Sequence, residues 1–266
     1  DDWGDTYYFA GNPSDNWLKF AGFYWRIIRI NGDGSIRMIY QGASANTTGT
    51  GTQIQTSAFN SSYNSSEYVG YMYTTNQQHG NTTNSTIKGI LDTWYSNNLK
   101  SYADKISTEA GFCGDREMAS GSSWSSTPSS TIYYAGYGRL VQKSSSVNPT
   151  FKCSNSTDLY TVSGSSKGNK ALSNPVGLIT ADEVTMAGLP WSGSTTSNYL
   201  YTGQYYWTMS PYSFGGSFAS VFRVDSDGSL NYSWVNNSFG VRPVINLRSD
   251  ITILSGDGTS SNPYVV

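Results

Sequence analysis

The strongest constraint on the fold is a pair of β-branched and aromatic segments near the start of the chain. The first runs from Phe23 to Ile30 and the second from Ser35 to Tyr40, with Asn-Gly-Asp-Gly at residues 31–34 between them. Runs of this composition favour strands, and Asn-Gly or Asp-Gly pairs favour tight turns, so the sequence predicts a β-hairpin. Three basic side chains come close to alternating with the apolar ones, which predicts one solvent-exposed face without a further role for Arg26, Arg29 and Arg37.

Helical signals occur in two places. Asn84 or Ser85 can cap a helix whose apolar residues, from Ile87 to Tyr95, follow the three- and four-residue spacing of an amphipathic helix, and a second short helix is expected from Leu99 to Ile106. Within the first helix, Trp94 is expected to pack in the core. Thr180 and Glu183 form a capping-box pattern, which predicts a short helix over residues 181–187 and a structural role for both side chains.

Two irregular stretches interrupt these elements. Residues 41–84 are rich in Thr, Asn, Ser and Gly with interspersed tyrosines, and residues 111–170 are rich in Ser and Gly. The second stretch contains both cysteines, Cys113 and Cys153, and a long insertion is commonly functional or tied down. We predict a disulfide between them, with two buried free thiols as the alternative. His79 is the only histidine, so the sequence has few ligands for a zinc site and few candidates for a Cys–His catalytic pair.

The final third of the sequence alternates between strands and turns. Strands are predicted at 205–210, 218–224 and 239–247, with a closing strand at 264–266. Five of their side chains are expected in the core: Trp207, Val221, Val224, Val241 and Val244. Three Asp-Gly pairs, at 33–34, 227–228 and 257–258, lack the ligand number of a calcium loop and are interpreted as turns.

The composition limits the class of protein. Charged residues make up 13% of the chain, against about 25% in typical domains, while 21 Tyr, 10 Phe and 8 Trp accompany abundant Ser, Thr, Asn and Gly. Such a chain folds, because disordered segments carry charge and lack aromatic residues. The net charge of −2 provides no general attraction to nucleic acid or anionic lipid. The composition and the predicted disulfide favour an extracellular location over a cytosolic one, with any membrane contact made through an anchor outside this chain.

Familiar catalytic motifs are absent from the sequence. It contains no phosphate-binding glycine loop, no HExxH and no GxSxG. We therefore expect no catalytic residues, no metal and no cofactor, and we predict that the protein is not an enzyme.

Segments at both ends of the chain carry a resemblance to a known family. Tyr206-Trp207-Thr208-Met209-Ser210-Pro211, followed by Phe239-Gly240-Val241-Arg242-Pro243-Val244, resembles a bacterial domain of C-type-lectin-like fold related to the formylglycine-generating-enzyme group. The hairpin at 24–28 and the closing Gly-Asp-Gly-Thr…Asn-Pro-Tyr segment look like those of domains appended to prepilin-like proteins in gut Firmicutes. The resemblance implies one domain over residues 1–266. It also implies an α+β, C-type-lectin-like fold with antiparallel strands, two main helices and long insertions at about 41–84 and 111–170.

The same resemblance implies a binding site. Lectin-like domains of this group include the variable proteins of diversity-generating retroelements, which place diversified residues between the Trp strand and the Gly-x-Arg strand, here residues 212–238. Adenine-directed mutation of Asn codons yields most of the residue types found there, although not Trp234. Rigid aromatic and small polar side chains also dominate antibody binding loops. The predicted ligand-binding residues are Tyr212, Ser213, Phe214, Phe218, Ser220, Phe222, Arg223, Asp225, Asn231, Tyr232, Ser233, Trp234, Asn236 and Asn237.

The function expected from these features is surface-displayed ligand binding of the adhesin or receptor type. The partner would be a protein or glycan on another cell, a host or a phage. A structural pilin-like subunit without a dedicated ligand is the main alternative. A sulfatase-modifying type of enzyme is a weaker one, because the related enzymes need a reactive cysteine or metal and neither cysteine lies in the final third.

Overall fold

The computed structural model describes residues 1–45, 48–142 and 148–266. Residues 46–47 and 143–147, which belong to the two predicted insertions, lie outside the described residues. In chain order the strands are β1 (Tyr7–Tyr8), β2 (Trp17–Phe20), β3 (Phe23–Ile30), β4 (Ile36–Gly42), β5 (Gln55–Ala58), β6 (Met72–Tyr73), β7 (Thr83–Asn84), β8 (Phe112–Cys113), β9 (Ile132–Tyr133), β10 (Leu159–Tyr160), β11 (Tyr206–Gly215), β12 (Phe218–Val224), β13 (Leu230–Trp234), β14 (Ser238–Val241), β15 (Val244–Leu247) and β16 (Tyr264–Val265).

Helices contribute less than strands. The α-helices are α1 (Thr86–Asn98), α2 (Ala135–Tyr137) and α3 (Ala181–Met186). A π-helical turn, Gly138–Gln142, follows α2, and 3₁₀ turns occupy Thr50–Thr52, Ser66–Val69, Lys100–Lys105 and Ser156–Asp158. The fold is therefore α+β and rich in sheet, as predicted. None of the described helices has the length and hydropathy that a membrane span requires.

The first sheet contains the predicted hairpin. Its strand order is β15-β4-β3-β2-β16, with β1 paired to β3, and β3 pairs with β4 in antiparallel register. The Asp33 carboxylate accepts hydrogen bonds from the Ser35 backbone N–H at 2.9 Å and the Ser35 hydroxyl at 2.6 Å, which stabilises the turn. Asp33-Gly34 therefore acts as the predicted turn. Most pairs are antiparallel, but β16 runs parallel to β2.

The prediction that the hairpin arginines face solvent is wrong. Arg26, Arg29 and Arg37 are all buried, and Arg37 is only 1% exposed. Each guanidinium has a buried partner: Arg26 donates from Nε to Asn16 Oδ1 at 2.6 Å, while Arg29 and Arg37 contact the Glu183 carboxylate. Burial of a charge is tolerated when it is paired and hydrogen-bonded, and these partners supply that pairing.

The predicted helices are present. The hydroxyl of Ser85 accepts the Lys88 backbone N–H at the start of α1, so Ser85 is the cap. In α3 the Thr180 side chain accepts the Glu183 N–H and the Glu183 carboxylate accepts the Thr180 N–H, which confirms the capping box. The segment after α1 is a 3₁₀ turn from Lys100 to Lys105 and not an α-helix. Trp94 is partly buried and packs against the core.

The second sheet is built mainly from the final third of the chain. Its strand order is β13-β12-β11-β14-β5, and β9 pairs with β11. The strand predicted over 239–247 is divided, because the chain leaves the second sheet after Val241 and enters the first sheet at Val244. Pro243 stands between the two parts and lacks a backbone N–H, which suits a break in a strand. All five expected core residues, from Trp207 to Val244, are buried.

The predicted disulfide is present. Cys113 in β8 is bonded to Cys153, with a Cα–Cα distance of 5.5 Å. The bond ties together two parts of the irregular stretch 111–170. Its presence indicates an oxidising, extracellular type of environment.

Candidate functional site

The interval predicted to bind ligand forms one continuous part of the second sheet. β12 pairs antiparallel with both β11 and β13, with Phe222 opposite Tyr232 and Ser220 opposite Trp234. β13 is the outer strand of the three. Side chains of a strand point alternately to its two faces, so Tyr232 and Trp234 lie on one face and Asn231 and Ser233 on the other.

The turn between β12 and β13 confirms the interpretation of Asp227-Gly228 as backbone geometry. Asp227 Oδ1 accepts the Ser229 N–H at 3.0 Å and the Ser229 hydroxyl at 2.7 Å. Gly228 has a φ of +83°, and a Cβ at this position would lie 1.9 Å from the Thr195 carbonyl oxygen. Only glycine meets both demands, because it lacks a Cβ and tolerates positive φ.

The structure divides the predicted ligand-binding residues by exposure. Tyr232, Trp234, Asn236 and Asn237 are exposed, with Tyr232 40% and Trp234 47% accessible. Partly buried members are Phe218, Arg223, Asp225, Asn231 and Ser233. The members buried in the sheet are Tyr212, Ser213, Phe214, Ser220 and Phe222. These five side chains expose little surface, and Tyr212 and Phe222 pack among the rings described next.

A cluster of nearly parallel rings supports Tyr232. Its ring stacks on Tyr212 with a centroid distance of 3.9 Å and an interplanar angle of 4°. Trp191 is parallel to both rings within 12°, at 5.7 Å from Tyr212 and 6.4 Å from Tyr232. Phe222 meets Tyr212 edge-on at 5.0 Å. Aromatic pairs in such arrangements add about 0.5–1.5 kcal/mol beyond burial, so Tyr232 has a rigid base.

A second ladder of rings supports Trp234. Phe218 stacks on Trp234 at 4.2 Å, and Tyr63 stacks on Phe218 at 5.0 Å. The Ala219 N–H donates to the Tyr63 carbonyl at 2.8 Å, which fixes the position of the Tyr63 segment against β12. Together with the Tyr232 cluster, this ladder gives one face of β13 an aromatic surface.

Both irregular stretches frame this surface. The stretch 41–84 contributes Tyr63, and the stretch 111–170 contributes β9 together with Tyr133 and Tyr137, whose rings stack at 4.0 Å. Tyr137 meets Tyr212 edge-on at 5.4 Å. The sequence did not identify Tyr63, Tyr133, Tyr137 or Trp191 as part of the site, because they join it only through contacts distant along the chain. Their available signal was an aromatic ring within a Ser-, Gly- and Asn-rich segment.

Beside the opposite face of β13, Arg223, Asp225 and Asn231 make contacts with one another and with neighbouring rings. Arg223 lies 3.2 Å from the Asp225 carboxylate, and its guanidinium lies over the Tyr205 and Phe239 rings at 4.6 Å each. Burial raises the pKa of Asp225, and Arg223 acts in the opposite direction. Asn231 donates to Asp225 Oδ2 at 3.2 Å. The charge of Arg223 is therefore balanced locally.

A surface depression at β13 is lined by residues from both faces of this outer strand. We call it the slot, and it is lined by Asn231, Tyr232, Ser233, Trp234 and Asn237. The lining contains no charged side chain. Asn237 Nδ2 donates to the Ser233 hydroxyl at 2.8 Å. The slot thus combines two aromatic rings with amide and hydroxyl groups, which are the polar groups that orient a ligand in a mainly apolar site.

Another concave region is filled by its own ion pairs. The Glu183 carboxylate binds Arg29 at 2.9 Å and Arg37 at 2.5 Å, and Arg29 also binds Asp1 at 2.6 Å. Burial acts to raise the pKa of Glu183, but Arg37 and Arg29 outweigh it and lower the pKa to about 2. Because each guanidinium here already meets a carboxylate, the arrangement fits a structural role better than ligand capture.

His79, in the stretch 41–84, is bound to residues of the stretch 111–170. Its Nδ1 lies 3.0 Å from the buried Asp158 carboxylate, which also binds Arg116. The hydrogen bond to Asp158 raises the pKa of His79, while partial burial opposes this effect. Among the residues that the structure describes, no group of His, Cys, Asp and Glu has the makeup of a metal site.

Comparisons with family models, with curated proteins and with solved structures found no match.

Proposed function

We propose that this chain is a ligand-binding domain of the adhesin or receptor type, displayed on a bacterial surface, and that it is not an enzyme. The observation that carries the proposal is the exposed pair Tyr232 and Trp234, each backed by its own group of stacked rings. Rigid, exposed aromatic residues surrounded by small polar residues are typical of binding surfaces, because they supply contact area at low entropic cost.

The proposal includes the C-type-lectin-like fold as a single domain. It is supported by the α+β architecture and by two long irregular stretches that frame one surface of the second sheet. It also includes diversification of the exposed positions. This part is supported by the exposure of Tyr232, Trp234, Asn236 and Asn237 within residues 212–238. Sequencing the locus across isolates tests this part, and we expect substitutions to concentrate at exposed positions such as Tyr232, Trp234 and Asn237. Invariance there would remove diversification from the proposal.

Binding of the fluorescent domain to a panel of bacterial and animal cells tests the function itself. We expect Trp234→Ala and Tyr232→Ala each to reduce binding to the positive cells at least tenfold, because residues of this type commonly contribute 2 kcal/mol or more at interfaces. Tyr7→Ala is the matched control, since Tyr7 is 75% exposed in β1 of the other sheet.

The fold of each variant is checked by its thermal unfolding, whose midpoint should fall by only a few degrees, because the ring that is removed is partly exposed and loses only its stacking contacts. Equal binding by the two slot variants, the control and the unchanged protein would contradict the site. A domain that binds none of the cells would favour a structural subunit.

A further inference from the structure

We infer that the slot binds an uncharged sugar ring at the end or edge of a glycan, by stacking on Trp234 and Tyr232. This inference rests on the proposed function and specifies the chemical class of the ligand. It follows from which ring surfaces are available, from the polar groups beside them, and from the absence of charge in the slot lining.

The rings offer apolar surface of the size of one sugar unit. Phe218 covers one side of Trp234 at 4.2 Å, and it is the only ring stacked on Trp234 among the described residues. Trp234 nevertheless keeps 47% of its surface exposed and forms a wall of the slot. The C–H groups of a pyranose carry partial positive charge, so they pack favourably on the negative face of an aromatic ring. The contact also removes apolar surface from water on both partners.

The polar groups of the slot suit hydroxyls, which both donate and accept hydrogen bonds. Asn237 Oδ1, the Tyr232 hydroxyl and the Trp234 indole N–H have no hydrogen-bond partner within the described ranges. Ser233 accepts from Asn237 and keeps its own O–H free to donate. One acceptor, one donor and two hydroxyls therefore lie beside the apolar walls, and none of them is charged.

The charge distribution excludes acidic sugars as the preferred ligand. Sialylated or sulfated glycans need a cation, and arginine is the side chain best shaped for a carboxylate or sulfate. The nearest arginine in the sheet, Arg223, is bound to Asp225 and covered by the Tyr205 and Phe239 rings. Since the slot lining also lacks a carboxylate, the inferred binding does not need calcium.

A peptide strand is a poorer occupant, because the outer edge of β13 is already bonded. The Leu230 N–H donates to the Pro190 carbonyl at 2.8 Å, and the Leu230 carbonyl accepts the Ser192 N–H at 3.2 Å. Farther along, the Tyr232 N–H donates to Asn231 Oδ1 at 2.9 Å, and the Tyr232 carbonyl accepts from Arg223 Nε at 3.1 Å. Strand addition needs these main-chain groups to be free.

The test uses the whole chain, labelled with a fluorophore, on a printed array of neutral, sialylated and sulfated oligosaccharides. We expect binding to neutral structures, unchanged by a calcium chelator. With the best neutral oligosaccharide, Trp234→Ala and Tyr232→Ala should each weaken binding at least tenfold in calorimetry, while Tyr7→Ala keeps it. Asn237→Ala should weaken it less than loss of either ring, because it leaves both stacking surfaces in place.

The possible failures separate the inference from the proposed function. Binding only to sialylated or sulfated glycans, or binding abolished by the chelator, would overturn the inferred ligand class. If no oligosaccharide binds while cell binding still depends on Trp234, the inference falls and the proposed function stands, with a protein as the ligand. If cell binding is also indifferent to Trp234, both fall.

Discussion

Replacing Glu183 with glutamine should destabilise the protein strongly, because it removes a carboxylate that two buried guanidiniums share. Glu183 Oε1 lies 2.9 Å from Arg29 and 2.5 Å from Arg37, and the residue is 2% exposed. Glutamine can still accept the Thr180 N–H, so the capping box survives and the variant reports on charge. Unfolding is measured by calorimetry at pH 7.

Two routes give the size of the effect. The shift of the Glu183 pKa from 4.5 to about 2 corresponds to about 3 kcal/mol, at roughly 1.4 kcal/mol for each pH unit. Removing one member of a buried ion pair typically costs about 3–5 kcal/mol, because the remaining charge is left unpaired. At roughly 2–4 °C for each kcal/mol in a chain of this size, we expect Glu183→Gln to unfold about 10 °C lower.

The pH dependence provides a second measurement. The pKa of Glu183 in the folded protein lies below its ordinary value, so its contribution is complete above pH 4.5 and is lost as the pH falls towards 2. Glu183→Gln should therefore lose less stability than the unchanged protein across this interval. Asp250→Asn is the control, because Asp250 and its partner Arg248 are both exposed. A midpoint within 1 °C of the unchanged protein, or an identical acid slope, would refute this account of the cluster.

The disulfide and one turn glycine give two further predictions. Replacing both Cys113 and Cys153 with serine should lower the free energy of unfolding by about 4 kcal/mol, from the loop-closure entropy of a 40-residue separation. The thermal midpoint of this variant should not change when a reductant is added. A midpoint equal to that of the oxidised, unchanged protein would contradict the prediction. Gly228→Ala should destabilise more than Gly216→Ala, because both have positive φ but only Gly228 meets another backbone where the Cβ would lie. Equal thermal midpoints for the two variants would show that the close approach to Thr195 does not matter.

Elements determined by neighbouring residues were predictable from the sequence. The hairpin of β3 and β4 follows from two strand-like segments and a turn, and the caps of α1 and α3 follow from Ser85 and from the Thr180–Glu183 pair. The division of the last long strand also had a local signal in Pro243, which cannot donate to a sheet ladder. In each of these cases the cause lies within a few residues of the effect.

Features that depend on distant partners were not predictable in the same way. Arg29 is buried because Glu183, 154 residues later, supplies a carboxylate. From an alternating pattern of charged residues on a strand, one cannot tell whether these side chains face solvent or pair with opposite charges on another element. Likewise, the resemblance and the residue types predicted a binding surface at residues 212–238, but only the packing shows that Phe222 is buried there and that Trp191 and Tyr63 contact its rings.

The contacts that hold β13 in the sheet are distinct from the side chains that β13 exposes. The strand is fixed at one end by main-chain bonds of Leu230 to Pro190 and Ser192, and just beyond its other end by the bond from the Val235 N–H to the Ala219 carbonyl at 3.0 Å. These bonds do not depend on the side chains between them. Tyr232 and Trp234 lie on the same face as Leu230 but are 40% and 47% exposed, whereas Leu230 and Val235 are fully buried. Substitution at these two positions removes stacking contacts but leaves the main-chain bonds that hold the strand, which is the physical property that a diversified binding domain would require.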